Sequence, residues 1–248
     1  MSDIAFTFGI VTNADGGVSQ ELIDSVTSIR DLKIPEYQII IIGNQNVLGN
    51  SHHFQHGDIK LINFDESQRE GWITRKKNII TDNASYENVV YMHDYILLKS
   101  DWYDGFKTFG DNFDVCVTKL HYLNEEQEDP RHRDWLLDYW NNRVERGLNH
   151  LGLERRQCLI PYEEKTLTKY MYINGGYWVA KKSFMQRFRL NETLSWGQGE
   201  DVEWSCRARK VWNLTMNTYS TAKLGKNKHR IFDLLSPEDT ARLRDILK

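Results

Sequence analysis

The run from Trp196 to Trp204 holds the densest group of side chains in this chain that could do chemistry. It reads Trp-Gly-Gln-Gly-Glu-Asp-Val-Glu-Trp, so the adjacent carboxylates Glu200 and Asp201 follow two glycines and lie between tryptophans. Glycine lets the backbone turn sharply or lie against a ligand, and tryptophan offers a flat apolar face to a sugar ring or a base. A carboxylate in such partly dry surroundings can have a raised pKa and accept a proton. We therefore predict a site of proton transfer here.

A purely structural interpretation of the same run is also open. We expect a helix after Gly199, and a carboxylate in the first turn of a helix interacts favourably with the helix dipole. That interpretation accounts for one of the two acids. It leaves the second acid, the Gly-x-Gly approach and the tryptophans unexplained.

A second candidate site is His93-Asp94-Tyr95, which follows the apolar strand predicted at Asn88–Met92. Ligands of open α/β sheets bind beyond the carboxyl ends of the strands. Divalent ions that serve phosphate chemistry take carboxylate and water ligands, and manganese also accepts imidazole. Asp94 and His93 could thus hold an ion against a diphosphate. The alternative is a polar pair that caps nearby backbone.

A third candidate is the basic stretch at 75–78, within a helix predicted from Ser67 to Asn83. Residues three and four apart share a helix face, so Thr74, Lys77 and Asn78 lie together. We expect Lys77 to reach a phosphate and Asn78 to bond to a sugar or to backbone. The two basic residues before Lys77 are typical of a solvated helix face.

A weaker candidate is the loop Lys226-Asn227-Lys228-His229-Arg230. His229 could complete the shell of a metal ion, and the basic residues could neutralise a departing diphosphate. Most runs of charged residues are simply solvated loops, so a loop without a role in binding is the open alternative.

The elements that must position these residues begin with a strand at 5–11, a helix capped by Ser19 and a second strand at 37–42. Further strands are predicted at 58–64 and 115–119, besides the one before His93. Near-continuous apolar strands are buried on both faces, as in parallel sheets. Strand, helix and strand in this order form a βαβ unit.

The second half of the chain is predicted to alternate in the same way. We expect a helix at 134–146, strand character from Met171 to Ala180 with a break at Gly175–Gly176, and a helix from Gly199 towards Val211. A last strand is expected at 214–219, and Ser236 opens a C-terminal helix.

Composition limits the classes of function. The chain has 248 residues, 40% of them hydrophobic, and 32 basic residues against 35 acidic ones give a net charge of -3. This balance argues against a nucleic-acid footprint. Three dispersed cysteines, Cys116, Cys158 and Cys206, are typical of reduced, buried thiols, and neither a signal peptide nor an apolar run long enough for a membrane is visible. We expect a cytoplasmic protein without a transmembrane segment.

In this order, the features resemble a GT-A-fold glycosyltransferase. The residues after the first two strands, Thr12-Asn13 and Gly43-Asn44, look like its nucleotide-binding half. The helix at 72–78 and the strand into 93–95 are similar to the family's Arg/Lys-Asn helix and its Asp-x-Asp metal motif. Asn174-Gly-Gly before the Trp-Gly-x-Gly-Glu-Asp run looks like the acceptor half of inverting members. The resemblance covers residues 5–232 and is nearest to glycosyltransferase family 2 and to galactosyltransferase-like C-terminal domains.

The resemblance implies an α/β fold of the GT-A kind, with two abutting Rossmann-like halves and a mostly parallel central sheet flanked by helices. Residues 1–248 would form one domain. Within it, 1–119 would be the nucleotide-sugar half, 120–235 the acceptor and catalytic half, and 236–248 the C-terminal helix. The insert at 120–168, with Trp135, Tyr139 and Trp140, would govern the acceptor.

The resemblance also implies an activity: transfer of a hexose, with inversion, from a nucleotide-diphosphate sugar to a hydroxyl of a glycan or another acceptor. UDP-hexose is the default donor, Asp201 the general base, and Glu200 a ligand of hydroxyls. The implied donor-binding residues are Thr12, Asn13, Asn44, Lys77, Asn78, His93 and Asp94. The implied acceptor-binding residues are Asn174, Gly175, Gly176 and Trp196. The implied ligands of Mn²⁺ or Mg²⁺ are Asp94, His93 and His229.

Three other functions stay open. The family's Asp-x-Asp motif is His93-Asp94-Tyr95 here, and a single acid also fits a non-catalytic sugar- or nucleotide-binding module. A nucleotidyltransferase would need a basic, Gly-rich N-terminal loop, whereas the loop at 13–17 is acidic. A retaining transferase would differ in the anomer of its product.

Overall fold

The computed structural model describes residues 3–14, 16–123, 128–129, 136–137, 158–159, 164, 166–226 and 233–247. The strands described are β1 (Phe6–Val11), β2 (Tyr37–Gly43), β3 (Ile59–Asn63), β4 (Asn88–His93), β5 (Ile96–Leu98), β6 (Val115–Leu123), β7 (Glu128–Asp129), β8 (Leu136–Leu137), β9 (Cys158–Leu159), β10 (Met171–Tyr172), β11 (Tyr177–Lys181), β12 (Leu214–Leu224) and β13 (Asp233–Leu234). The helices described are α1 (Gln20–Asp31), α2 (Gln45–Leu48), α3 (Ile73–Asn83), α4 (Trp102–Phe109), α5 (Lys182–Arg187), α6 (Glu200–Ala208) and α7 (Pro237–Leu247).

The central sheet has the order β3-β2-β1-β4-β11-β6-β12-β5, and β7 pairs with β6 outside this path. The four strands from β3 to β4 are parallel. Strand β11 runs antiparallel to both of its neighbours, so β6 and its parallel partner β12 resume the first direction. The predicted α/β architecture with a mostly parallel sheet is confirmed.

The sheet is buried on both faces because its strands carry apolar residues at successive positions. Alternate residues of a strand point to opposite faces. Ile39 and Ile41 therefore join the core under α1 and α4, whereas Ile40 and Ile42 join the core under α3 and α6. On the second face, α3 lies close to β1, since a Cβ added at Gly9 would meet Ile80 Cγ2 at 2.3 Å.

The predicted helix caps are confirmed. The backbone N–H of Leu22 donates to Ser19 Oγ at 3.2 Å, and the N–H of Asp239 donates to Ser236 Oγ at 3.0 Å. Of the predicted buried thiols, Cys116 is buried and Cys206 is half-buried. Among the described helices, none has the length and apolar character to cross a membrane.

Two predicted helices differ from the structure. The helix expected to begin at Ser67 begins at Ile73. The backbone before it cannot be helical at Gly71, which has a φ of +61°. Within the helix expected at 134–146, the described residues Leu136 and Leu137 instead form a short strand that pairs with Met171–Tyr172. The strand expected at 214–219 is longer than predicted, extends to Leu224 as β12, and is followed by the short β13.

The segment at 188–195, which we name the anchor segment, is hydrogen-bonded along α3 and the loop before it. Arg69 donates to the carbonyls of Glu192 and Thr193, and Trp72 Nε1 donates to that of Glu192 at 2.7 Å. Thr74 Oγ1 donates to the carbonyl of Leu194 at 2.7 Å. The anchor segment therefore fixes the chain that leads to Trp196.

Asn78 completes this attachment from the middle of α3. Its buried amide donates to the Leu190 carbonyl at 3.0 Å and to Glu192 Oε1 at 2.8 Å, and it accepts from the Leu190 N–H at 3.1 Å. Of the two predicted partners, a sugar or backbone, the structure gives backbone together with one carboxylate.

Replacing Asn78 with Ala should lower the free energy of unfolding by roughly 2 kcal/mol, because both backbone groups of Leu190 lose a buried partner. Urea denaturation measures this loss. The matched control is Asn83→Ala, at the half-exposed end of the same helix, where a smaller loss is expected. Equal losses in the two variants would contradict the role of Asn78 as an anchor.

Candidate functional site

The candidate site begins where β1 and β4 end side by side. Val11 is in register with His93 across the parallel pair, so the next residues of the two strands meet. Thr12 Oγ1 donates a hydrogen bond to Asp94 Oδ2 at 2.7 Å. His93 Nδ1 and the Tyr95 hydroxyl are hydrogen-bonded at 2.8 Å, which fixes the orientation of the imidazole ring. The structure thus brings together the strand-end residues that the sequence predicts.

A cavity of about 260 Å³ opens at this edge of the sheet. It is lined by Val11, Thr12, Asn13, Gly71, Ile73, Lys76, His93, Asp94, Tyr95, Trp196 and Lys226. The lining residues carry both signs of charge, with Asp94 and Lys226 facing the same space and Lys76 contributing part of its side chain. Lys226 also lies over the ring of Tyr95, with Nζ 4.1 Å from the ring centroid.

Lys76 differs from its prediction as a solvated residue. It is 4% exposed, donates to the Thr12 carbonyl at 2.8 Å and pairs with Glu66. The residue before it, Arg75, is exposed as predicted and pairs with Glu192. Lys76 therefore holds the loop after β1 in place and lines the cavity with part of its side chain.

Lys77 does not reach a phosphate site in this structure, because its side chain points into the protein. It is 1% exposed, and its Nζ donates to the Gly175 carbonyl and lies 4.4 Å from the centroid of the Trp178 ring. Removal from water lowers the pKa of Lys77 from 10.5 to about 8, although the charges of Glu200 and Asp201 oppose this shift. The predicted contact with the donor is replaced by one with the Gly175 turn.

The turn Asn174-Gly175-Gly176 connects the two acidic parts of the site. The N–H of His93 donates to the Gly176 carbonyl at 2.9 Å, and the N–H of Gly175 donates to Asp201 Oδ2 at 2.9 Å. A Cβ at Gly175 would lie 3.0 Å from Asp201 Oδ2, so the missing side chain permits this close approach. Asn174 Oδ1 accepts from the Gly176 N–H at 2.6 Å and shapes the turn.

Glu200 and Asp201 open α6, directly after Gly199 in the left-handed conformation with a φ of +72°. Glu200 is 5% exposed. Burial, followed by the neighbouring charge of Asp201, raises the pKa of Glu200 above its usual value. The raised pKa that the sequence predicts for a carboxylate of this run is found at Glu200. Asp201 is only half-buried and is not among the residues that line the cavity.

Trp196 is 66% exposed and contributes to the wall of the cavity. Its N–H donates to the Gly71 carbonyl at 2.9 Å, which ties it to the loop before α3. The sequence places Trp196 with the acceptor residues, but the structure places it on the same cavity as Thr12 and Asp94.

Three predicted site residues are not brought to this cavity. Asn44 caps α2 and accepts from the N–H of Asn46 at 3.1 Å. Asn78 is turned to the anchor segment, as described above. His229 lies outside the described residues, as do Trp135, Tyr139 and Trp140 of the predicted acceptor insert.

Sequence reasoning missed Gly71 and Ile73 as cavity residues, and it assigned Lys76 to the surface. A usable signal was Gly71 itself, since glycine is the residue that allows a positive φ or a close approach of backbone to a ligand. Lys76 gave no such signal, because adjacent lysines on a helix look alike in a sequence.

Few of the described side chains at the cavity could coordinate a divalent metal ion. In the described part of the chain, no group of three or more His, Cys, Asp or Glu side chains could hold an ion. Mg²⁺ and similar ions are commonly held by one or two carboxylates, waters and the phosphates of a substrate. Asp94 at the cavity wall fits that shared arrangement, and the residues do not form an all-protein cage.

Replacing Lys77 with Met should make the free energy of unfolding less dependent on alkaline pH. Between the folded pKa of about 8 and the unfolded value of 10.5, the unfolded chain binds a proton at Lys77 that the folded chain has released. Stability of the wild type therefore rises with pH through this window. One pKa unit corresponds to about 1.4 kcal/mol, so the rise from this group approaches about 3 kcal/mol.

Urea denaturation at several pH values in this window measures the effect as the difference between wild type and variant. Lys182→Met is the matched control, because Lys182 also donates to a backbone carbonyl, that of Ala84 at 2.7 Å, but is only half-buried. Parallel pH curves for wild type and K77M would contradict the depressed pKa.

Comparison with solved structures assigns the fold. S. aureus TarS residues 1–349 matches with a TM-score of 0.56 and 12% identity, over 98% of this chain and 64% of that chain. The same TarS fragment in complex with UDP-GlcNAc matches with a TM-score of 0.57 and 13% identity, over 98% and 65%. Its complex with UDP gives a TM-score of 0.54 and 12% identity, over 98% and 64%.

No family model matches the chain, and no curated protein matches it by sequence. The chain spans less than two thirds of the length of the TarS fragment that it resembles. At this level of identity the likeness concerns the fold. The chain has the GT-A fold of glycosyltransferases, as the resemblance in its sequence implies.

Proposed function

We propose that this protein is a glycosyltransferase that moves a sugar from a nucleotide-diphosphate donor to the hydroxyl of an acceptor. The observation that carries the proposal is the Asn174–Gly176 turn. Its backbone bonds on one side to His93, the last residue of β4 and the neighbour of Asp94, and on the other side to Asp201. The turn thus links Asp94, an acid suited to the phosphate end of a donor, with Asp201, an acid suited to accept a proton, which supports a shared role for the two.

The cavity at the strand ends is the donor site in this proposal. Thr12 and Asn13 line it beyond β1, where nucleotides bind in open α/β sheets. Lys226 supplies positive charge for a diphosphate, and the exposed face of Trp196 offers a stacking surface for a ring. UDP-hexose is the proposed donor class, a choice supported by the fold shared with TarS, which was solved with UDP and with UDP-GlcNAc.

Asp94 would hold Mn²⁺ or Mg²⁺ together with the phosphates of the donor, with His93 beside it. Such an ion neutralises charge that develops on a leaving diphosphate. Thr12 Oγ1 keeps one oxygen of Asp94 in a fixed direction by its hydrogen bond. The Lys76 ammonium, bonded to the Thr12 carbonyl, stabilises the loop that makes this contact.

Asp201 is the proposed general base, which takes the proton from the acceptor hydroxyl as that oxygen attacks the anomeric carbon. The Gly175 N–H orients its Oδ2, and attack opposite the leaving group inverts the anomeric centre. Glu200, whose pKa is raised, is suited to bind a hydroxyl of the substrate. Asn174, Gly175 and Gly176 would form the floor under the acceptor.

The non-catalytic binding module remains the second candidate, favoured by one observation. Asp94 is the single carboxylate among the described residues that line the cavity. A module of this kind would bind a nucleotide sugar and leave it intact.

Donor binding should raise the melting temperature of the protein by mass action. We expect UDP-GlcNAc, UDP-glucose or UDP-galactose to give a shift in differential scanning fluorimetry, and Mn²⁺ to enlarge it. Asp94→Asn should lose the part that depends on Mn²⁺, whereas Asp104→Asn, an exposed residue of α4, should keep it. An equal Mn²⁺-dependent shift in D94N and wild type would remove Asp94 as a metal ligand.

Asp201→Asn should reduce the rate of UDP release about 10²–10⁴-fold, the usual contribution of a general base. The thermal shift with donor should persist, because D201N leaves the cavity lining intact. Glu203→Gln, in the same first turn of α6 but paired with Arg207, is the matched control and should stay active.

Three outcomes decide between the alternatives. Wild-type binding without UDP release from any donor would favour the binding module. Loss of both binding and release in D201N would show that the role of Asp201 is misassigned. Retention of the anomeric configuration in the product, read by NMR, would replace the inverting mechanism with a retaining one.

A further inference from the structure

Lys77 is a buried ammonium that touches neither the cavity nor the proposed substrates. Its surroundings come from three elements: the Trp178 ring on β11, the Gly175 carbonyl on the turn before it, and the acids Glu200 and Asp201 at the start of α6. These two acids are the charged groups that act on it. Its positive charge therefore acts on Asp201, the proposed base, and on the adjacent Glu200.

Gly175 connects this ammonium to Asp201. The carbonyl of Gly175 accepts from Lys77 Nζ, and the N–H of the same residue donates to Asp201 Oδ2 at 2.9 Å. A residue held by hydrogen bonds at both of its backbone groups has little freedom to rotate. The lysine thus fixes the direction in which Gly175 presents its N–H to the carboxylate.

The charges at the start of α6 compete with one another. Burial of Glu200 and the nearby charge of Asp201 both favour uptake of a proton by Glu200, and the Lys77 charge opposes them. A general base works only in its ionised form. A cation beside two adjacent carboxylates favours their ionised forms and therefore extends to lower pH the range in which the base can accept a proton.

We propose that Lys77 is a positioning residue whose buried ammonium fixes Asp201 through Gly175 and keeps the Glu200–Asp201 pair ionised. This inference rests on the proposed role of Asp201 as the base. It also explains why a lysine occupies a place where an apolar side chain of equal length would avoid the loss of hydration. Packing against the Trp178 ring alone would need only a side chain of this volume, without a charge.

The charge state of the pair can be followed at a single atom. Asn174-Gly175 is the one Asn-Gly step in the sequence. Labelling with ¹³C-carbonyl asparagine and ¹⁵N-glycine therefore selects the Gly175 amide in a two-dimensional NMR spectrum. Because this amide donates to Asp201, its chemical shift reports protonation at the acid pair as the pH is lowered.

Two variants separate the charge from the hydrogen bond. Lys77→Met removes both, whereas Lys77→Gln keeps a donor for the Gly175 carbonyl and removes the charge. We expect the midpoint of the Gly175 titration to move upward by at least about one pH unit in both variants, or about tenfold in proton affinity. Lys182→Met, which removes a lysine bonded to the Ala84 carbonyl, should leave the midpoint in place.

The same variants should move the acidic limb of the pH profile of UDP release by an equal amount, with the KM for the donor unchanged. An unchanged midpoint in folded K77M and K77Q would overturn the proposal, as would a shift of the same size in K182M. If K77M does not fold, K77Q carries the same test. Absence of UDP release from the wild type refutes the proposed function instead, because the NMR titration needs no turnover.

Discussion

The site depends on one short piece of backbone, the turn from Asn174 to Gly176. It lies just before β11, the strand that runs antiparallel between β4 and β6, so it arrives at the carboxyl edge of the sheet from the opposite direction. There it bonds to His93 and to Asp201. Residues far apart in the sequence are brought together because a reversed strand carries this turn between them.

The buried lysine beneath the turn and the acids beyond it form one electrostatic unit. Lys77 has lost most of its hydration, which lowers its pKa, and Glu200 has lost much of its own, which raises its pKa. Each group reduces the penalty of burying the other, and Gly175 lies between them. A change in the charge of Lys77 therefore alters the electrostatic environment of Glu200 on the other side of the turn.

Much of the fold could be predicted from the sequence because its causes are local. Continuous apolar strands and two serine caps gave the order of the main elements and most of their limits. The strand-end position of Asp94 and the adjacency of Glu200 and Asp201 could be read in the same way. The interruption at Gly71 and the pairing of Leu136–Leu137 depend on tertiary contacts and could not.

The direction of side chains on α3 was the least predictable part of the site. Lys76, Lys77 and Asn78 are consecutive polar residues, and all three are buried with different partners: the loop after β1, the turn before β11 and the anchor segment. Helical spacing gives their relative angles but not what each one meets. The partners come from parts of the chain that sequence spacing does not relate to α3.

The absence of a side chain at Gly9 has a consequence for all of this. Ile80, which fills the space above Gly9, lies one turn after Lys76 and Lys77 on the same helix. A methyl group added at Gly9 would overlap the Ile80 side chain, and an outward shift of α3 that relieved this overlap would draw both ammonium groups away from the carbonyls to which they donate. Gly9, the smallest residue of β1, thus allows α3 to lie close enough to the sheet for Lys76 and Lys77 to reach their carbonyl partners.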